Sequence, residues 1–97
     1  MRVISRKTLR EFWEMYPDCT VQLKAWYQEI KAADWNNHNE LKKEFPSASI
    51  ISTNRVVFNT KGNHYRLIVK ISYEIQICWI RFIGTHPDYD KINANEI

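Results

Sequence analysis

Cysteine is scarce in this chain, and the two present, Cys19 and Cys78, have neither the density of a disulfide framework nor the CxxC spacing of a metal site. Both are expected to be free thiols. Long apolar runs are also missing: there is no N-terminal hydrophobic leader, and no stretch is long enough to span a bilayer. Export and membrane insertion are therefore not expected, and the chain reads as cytosolic. No internal repeat, linker or low-complexity tract interrupts it. Acidic residues are absent from one region in particular. Residues 45 to 73 contain no Asp or Glu, yet carry Arg55, Lys61, Arg66 and Lys70.

What is present suits one small folded domain spanning residues 1–97. The chain has 97 residues, 44% of them hydrophobic and 13% aromatic, including four Trp, enough apolar matter for a single core. Lys and Arg number 14 against 11 Asp and Glu, a net charge of +3 that permits a polyanionic partner without requiring one. Distribution matters more than the sum. Acids crowd the N-terminal half (Glu11, Glu14, Asp18, Glu29, Asp34, Glu40, Glu44) and the last stretch (Asp88, Asp90, Glu96), so the positive field belongs to the region between.

Periodicity divides the chain in two. "MRVIS" reads as a short strand, after which Ser5 can cap a helix with Leu9, Phe12 and Trp13 on one face. Pro17 ends that helix, Asp18 can cap the next, and Leu23, Trp26, Tyr27, Ile30 and Ala33 mark its apolar stripe. Asn37 with Glu40 resembles a capping box opening a short third helix that Pro46 closes. From there the period becomes two. "SIIS", "RVVFN", "HYRLIVKISY" and "ICWIRFIG" read as a meander of antiparallel strands, with Gly62 supplying the turn after "NT". The expected class is α+β: an N-terminal strand and two to three helices packed on one face of a mostly antiparallel sheet, the other face partly open.

In "HYRLIVKISY", Tyr65, Leu67, Val69 and Ile71 fall on one side and His64, Arg66 and Lys70 on the other. The first set is expected under the helices and the second on the open face. In the last strand either parity can be the core set. With Cys78, Ile80 and Phe82 inward, Arg81 stands beside Arg66 and Trp79 offers a stacking surface; the reverse register removes Arg81 from the site. The chain then leaves the sheet as "GTHPDYDKI", bringing His86 and Tyr89 to a short turn. A histidine, a tyrosine and fixed cations are ingredients of RNA cleavage without a metal. Such cleavage needs a base for the 2′-OH, cations for the charge on the phosphorane-like transition state, and an acid for the leaving oxygen.

"VVFNTKGNHYRLIVKISY" and "IRFIGTHPDYDKI", with "LKAWYQEIKAADW" upstream, resemble the HigB family of toxins from type II toxin–antitoxin systems, the RelE-like mRNA interferases. The resemblance runs over nearly the whole chain. It implies a RelE-like fold and a bacterial endoribonuclease that enters the ribosomal A site, contacts 16S rRNA and cuts translated mRNA through 2′-OH attack and a cyclic phosphate. It implies no cofactor and no metal. The partner it implies is a HigA-type helix-turn-helix antitoxin, with operator DNA bound only through the complex. By motif, the catalytic positions fall on Lys61, Arg66, His86 and Tyr89. Two positions depart from the family pattern: Thr60 stands where an apolar residue is more common, and Pro87 follows the histidine, restricting it toward extended backbone.

Each residue also has a plainer use. Arg66 on a solvated strand face can simply meet water, His86 can be a turn histidine, Tyr89 can pack its ring, and Lys61 sits where turns often carry Lys. Lys70, Arg81 and His64 are candidate RNA contacts on the open face. Arg6, Lys7 and Arg10 are a helix cluster that can add salt-sensitive affinity for rRNA. His38 reads as surface, and Trp13, Trp26 and Trp35 as core. Two other functions compete with the nuclease: a non-catalytic RNA-binding module using the basic sheet face, and a DNA-binding regulator using the first two helices. The second is disfavoured because those helices' apolar stripes are committed to the sheet.

Overall fold

A computed structural model describes residues 1–60 and 64–97. The expected turn at Gly62 and the candidate Lys61 lie outside the described residues. Among these residues the chain runs β1 (Arg2–Ile4), α1 (Arg6–Met15), a 3₁₀ turn (Pro17–Cys19), α2 (Thr20–Ala32), α3 (His38–Glu44), β2 (Ser49–Ser52), β3 (Arg55–Thr60), β4 (Tyr65–Ser72), β5 (Ile77–Thr85) and α4 (His86–Asp90). The strands form one sheet in the order β1-β5-β4-β3-β2. β2 to β5 pair antiparallel as a meander, and β1 joins the β5 edge in parallel. The expected class holds.

The helices cover one face because their apolar residues recur at helical spacing. Leu9 and Trp13 of α1, Leu23, Trp26 and Ile30 of α2, and Leu41 of α3 meet Val56, Phe58, Leu67, Val69, Ile71 and Cys78 of the sheet in one buried cluster. Trp13, Trp26 and Trp35 are all core residues. Phe58 is a hub, edge-on to Trp26 at 5.3 Å and to Phe45 at 5.2 Å between ring centroids. Phe58→Ala is expected to lower unfolding free energy by about 3–5 kcal/mol, read from urea melts, because the helices cannot follow the missing ring onto the sheet. Cys19 and Cys78 are free and buried. Among the described residues no helix is long and apolar enough to cross a membrane.

Several local expectations change. The Asp18 carboxylate does not cap α2: it accepts a hydrogen bond from the Tyr65 hydroxyl at 2.8 Å, tying the start of α2 to β4. Ser5 occupies the N-cap position of α1, but its hydroxyl bonds the Thr8 hydroxyl at 3.1 Å rather than the backbone. Asn37 does cap α3, accepting from the Glu40 N–H at 3.0 Å. His38 is no plain surface residue. Its Nε2 lies 2.9 Å from the Thr53 carbonyl and its Nδ1 2.6 Å from the Tyr73 hydroxyl, so Nε2 carries the proton and Nδ1 accepts from the phenol.

The last strand follows neither uniform parity. β4 residues Ile68 and Val69 are adjacent, but they face Phe82 and Ile80, which leaves Arg81 as the extra residue of a β-bulge. Cys78 and Ile80 point to the core as expected. After the bulge the parity flips, so that Ile83 packs toward the core while Phe82 joins Ile68 on the open face. Gly84, not Arg81, is the residue opposite Arg66.

Buried proton-bearing groups define a basic limit to stability. Asp18, as acceptor, and burial push the Tyr65 hydroxyl up to about 12, and burial followed by the nearby Cys78 does the same for Tyr73. Burial also raises the Cys78 thiol from 9.0 to about 12. Above the unfolded values near 9 and 10 the unfolded chain loses these protons while the folded chain keeps them. The contribution of these three groups to stability is therefore fully present below about pH 9 and lost as pH rises through 12. The urea midpoint measured across that window is expected to fall steadily; a flat midpoint contradicts the assignment.

Candidate active site

The open face of the sheet is organised in cross-strand rows, since residues opposite one another in a ladder share a face. One row reads Asn59, Arg66, Gly84; the next Val57, Ile68, Phe82; the next Arg55, Lys70, Trp79. Charge therefore occupies the two outer rows, with an apolar band between them. Val57 and Ile68 are fully buried within that band although they face away from the helices.

The first row builds the site. Arg66 donates from Nη1 to the Asn59 side-chain carbonyl, and its guanidinium carbon lies 5.4 Å from the centroid of the Tyr89 ring. The cation is thus held by the Asn59 side chain on one side and by the face of the Tyr89 ring on the other. Its Nε is buried with no hydrogen-bond partner among the described residues. Gly84 is needed opposite it: a Cβ there would stand 2.5 Å from Cζ of the Phe82 ring, which folds back over the glycine.

Tyr89 reaches Arg66 because β5 turns directly into a one-turn helix, α4. The Thr85 side chain caps it by accepting from the Asp88 N–H at 3.3 Å, and Pro87 sits in the first turn, where a missing N–H does no harm. His86 is accordingly the first residue of a helix and not an extended one, which corrects the expected effect of Pro87. Its backbone N–H bonds the His64 carbonyl at 3.2 Å, so the helix start is tied to the β4 end of the site. One helical turn on, the Asp90 carboxylate oxygen lies 3.1 Å from His86 Nδ1. A carboxylate only accepts, so Nδ1 carries the proton and Nε2 is the basic nitrogen.

The structure brings Arg66, His86 and Tyr89 to one end of the sheet, with the exposed His64 at its margin. Lys70 lies four residues along β4, with its ammonium 5.4 Å from the Trp79 ring centroid. Arg81 is exposed at the bulge and has no partner in the β4 ladder. Arg6, Lys7 and Arg10 stand on the helical layer with partners of their own: Arg6 over Trp13 and Tyr27, Lys7 at 3.7 Å from Glu11, Arg10 at 4.0 Å from Glu14. Asn59 and Asp90 were not among the sequence candidates. The i, i+4 spacing in "HPDYD" was a usable signal for Asp90, whereas Asn59 needed the β3–β4 register. Among the described residues no group of three His, Cys, Asp or Glu side chains converges on a common point.

This arrangement can do phosphoryl chemistry: a fixed cation, an oriented imidazole and a phenol sit together at one end of the sheet. The comparisons with known proteins point the same way. A family model described as HigB toxin, the RelE-like toxic component of a toxin-antitoxin system, matches residues 19–92. The chain is 32% identical over 96 residues to the mRNA interferase toxin HigB of Escherichia coli, covering 97% of this chain and 92% of that one. The same figures hold for the mRNA interferase HigB of Shigella flexneri, and a HigB from another Escherichia coli strain is 27% identical over 94 residues, covering 95% and 91%. With most of its length matched by the family model and nearly all of it aligned to these relatives, the chain belongs to the HigB toxin family, RelE-like toxic components of toxin–antitoxin systems.

Proposed function

We propose that this toxin is a ribosome-dependent endoribonuclease that cuts translated mRNA in the bacterial cytoplasm and is neutralised by a HigA-type helix-turn-helix antitoxin. The observation that carries the reading is the Arg66 guanidinium held between Asn59 and the Tyr89 ring beside the His86–Asp90 pair. In the reaction the 2′-OH gives up its proton and its oxygen attacks the adjacent phosphorus. The bond to the 5′-oxygen breaks, that oxygen takes a proton, and the products are a 2′,3′-cyclic phosphate and a 5′-OH end. Arg66 neutralises charge on the phosphorane-like transition state, with Lys61 as a second phosphate contact. His86 moves a proton through Nε2 while Asp90 holds the ring, and Tyr89 serves as the other proton group or as the platform for Arg66. No cofactor enters this scheme.

Lys70, Arg81 and His64 extend the contact along mRNA and 16S rRNA in the A site. Arg6, Lys7 and Arg10 add salt-sensitive affinity for rRNA from the helical layer. Operator DNA is bound only through the antitoxin complex. Induction in bacteria tests the reading. The toxin should arrest growth unless the antitoxin is co-expressed, and new mRNA 5′ ends should appear within reading frames but not in the same message lacking its start codon. Cuts that ignore translation would contradict ribosome dependence.

A further inference from the structure

The opposite end of the open face carries a second aromatic and cationic cluster that the cleavage chemistry does not use. There the β2–β3 turn meets the β4–β5 turn, and a cavity of about 450 Å³ opens between them, lined by Lys70, Trp79, Asn54, Tyr73, Glu74 and Ile75 among others. Trp79 is half-buried on this face, unlike Trp13, Trp26 and Trp35, which are all core. Ile75 is 57% exposed at the rim, an unusual place for a large aliphatic side chain. The walls are braced: His38 bonds the Tyr73 hydroxyl on one side and the Thr53 carbonyl on the other. Arg55, opposite Lys70 in the ladder, is already engaged: its Nε and Nη2 donate to the Ile97 carbonyl at 3.2 and 3.0 Å and its Nη1 to the Asn54 side chain at 3.0 Å, which leaves Lys70 as the cation of the cavity.

We infer that this cavity is a base-binding subsite for single-stranded RNA, with Trp79 as the stacking platform and Lys70 as the phosphate contact. An indole face accepts any base, and the flexible Lys70 ammonium, now 5.4 Å from the ring centroid, moves off the ring to a phosphate when a base stacks there. Asn54 and Glu74 give the rim polar groups for the edge of a base. Lys70 is four residues from Arg66 along β4, about 13 Å at the usual strand rise. A single nucleotide cannot fill both ends, whereas a short oligonucleotide is long enough to reach from one to the other. The subsite therefore holds the strand away from the scissile bond and contributes to where it is cut. This rests on the nuclease reading for its biological role, but not for its binding chemistry.

The protein carries its own probe, because Trp79 is the tryptophan outside the core. A fully 2′-O-methylated RNA tetranucleotide, which has no free 2′-OH to react, is titrated into the purified toxin while indole fluorescence is followed. Anisotropy of a labelled copy reports binding independently. Quenching is expected in the wild type. Trp79→Phe should abolish the quench while keeping affinity within about threefold, since a phenyl ring still stacks. Trp79→Ala and Lys70→Ala should each weaken binding roughly tenfold or more, with circular dichroism confirming that the variants are folded. Unchanged affinity in Trp79→Ala overturns the subsite. So does a Trp79→Ala toxin that binds RNA normally but no longer binds its co-expressed antitoxin, which would make this surface a protein seat. A wild type that is quenched by RNA yet never cuts mRNA sinks the nuclease reading and leaves the subsite standing; cutting without any quench does the reverse.

Discussion

Arg66→Ala is expected to slow mRNA cleavage on the ribosome by about 10²–10³-fold, the loss typical of removing one preorganised group that meets developing charge. Arg66→Lys should recover little of it. A lysine restores the charge, but it lacks the forked donors with which a guanidinium bonds Asn59 and a phosphate at the same time. The protein itself should tolerate either change: Arg66 sits on the open face, outside the buried cluster under the helices. Thermal melts should therefore stay close to wild type while single-turnover rates fall. If Arg66→Lys cleaves at the wild-type rate, the guanidinium geometry has no role and only its charge matters.

His86→Ala is expected to cost a further class of chemistry, about 10²–10⁴-fold in rate, as for loss of a general acid or base. Asp90→Asn should be milder and different in kind. An amide can either accept from Nδ1 or donate to it, so the ring is no longer held in one tautomer, and the pH–rate profile should change shape as well as height. Single-turnover rates of the variants across pH on programmed ribosomes separate the two cases. Double replacement of Arg66 and His86 should fall well short of the product of the single losses, because groups acting on one transition state are not additive. His86→Ala cutting as fast as wild type would make His86 structural, and Tyr89 with Lys61 would then carry the proton transfers.

Much of the fold was legible because two periods map directly onto two kinds of face. Leu23, Trp26 and Ile30 lie on a helical stripe and are buried; Leu67, Val69 and Ile71 alternate with Arg66 and Lys70 and face the opposite way. The last strand was not legible in the same manner. A bulge at Arg81 changes parity in mid-strand, no Gly or Pro marks it, and every residue from Ile80 to Ile83 is long enough to suit either face. Asp18 shows a different limit: an N-cap signal next to a proline is local, but the Tyr65 hydroxyl that claims its carboxylate arrives from 47 residues away. His38 fails likewise, since Tyr73 and Thr53 come to it only once the sheet has formed.

For the site, residue types were easier to read than partners. Arg66, His86 and Tyr89 stood out by chemistry and by the family motifs, and the fold gathers them at one end of the sheet. What holds them there, Asn59 across the ladder, Gly84 beneath the Phe82 ring and Asp90 one turn beyond His86, depended on register and on α4, whose first turn Pro87 favours rather than breaks.

The most direct test is to give purified wild-type toxin and Arg66→Ala a ribosome complex with a defined codon in the A site and to analyse the ends of the mRNA fragments. The account requires rapid cutting by the wild type to a 2′,3′-cyclic phosphate and a 5′-OH, and a hundredfold or greater slowing in the variant. Tight binding of the wild type to the same complex with the mRNA left intact would contradict it, and the basic sheet face would then belong to an RNA-binding module that performs no chemistry.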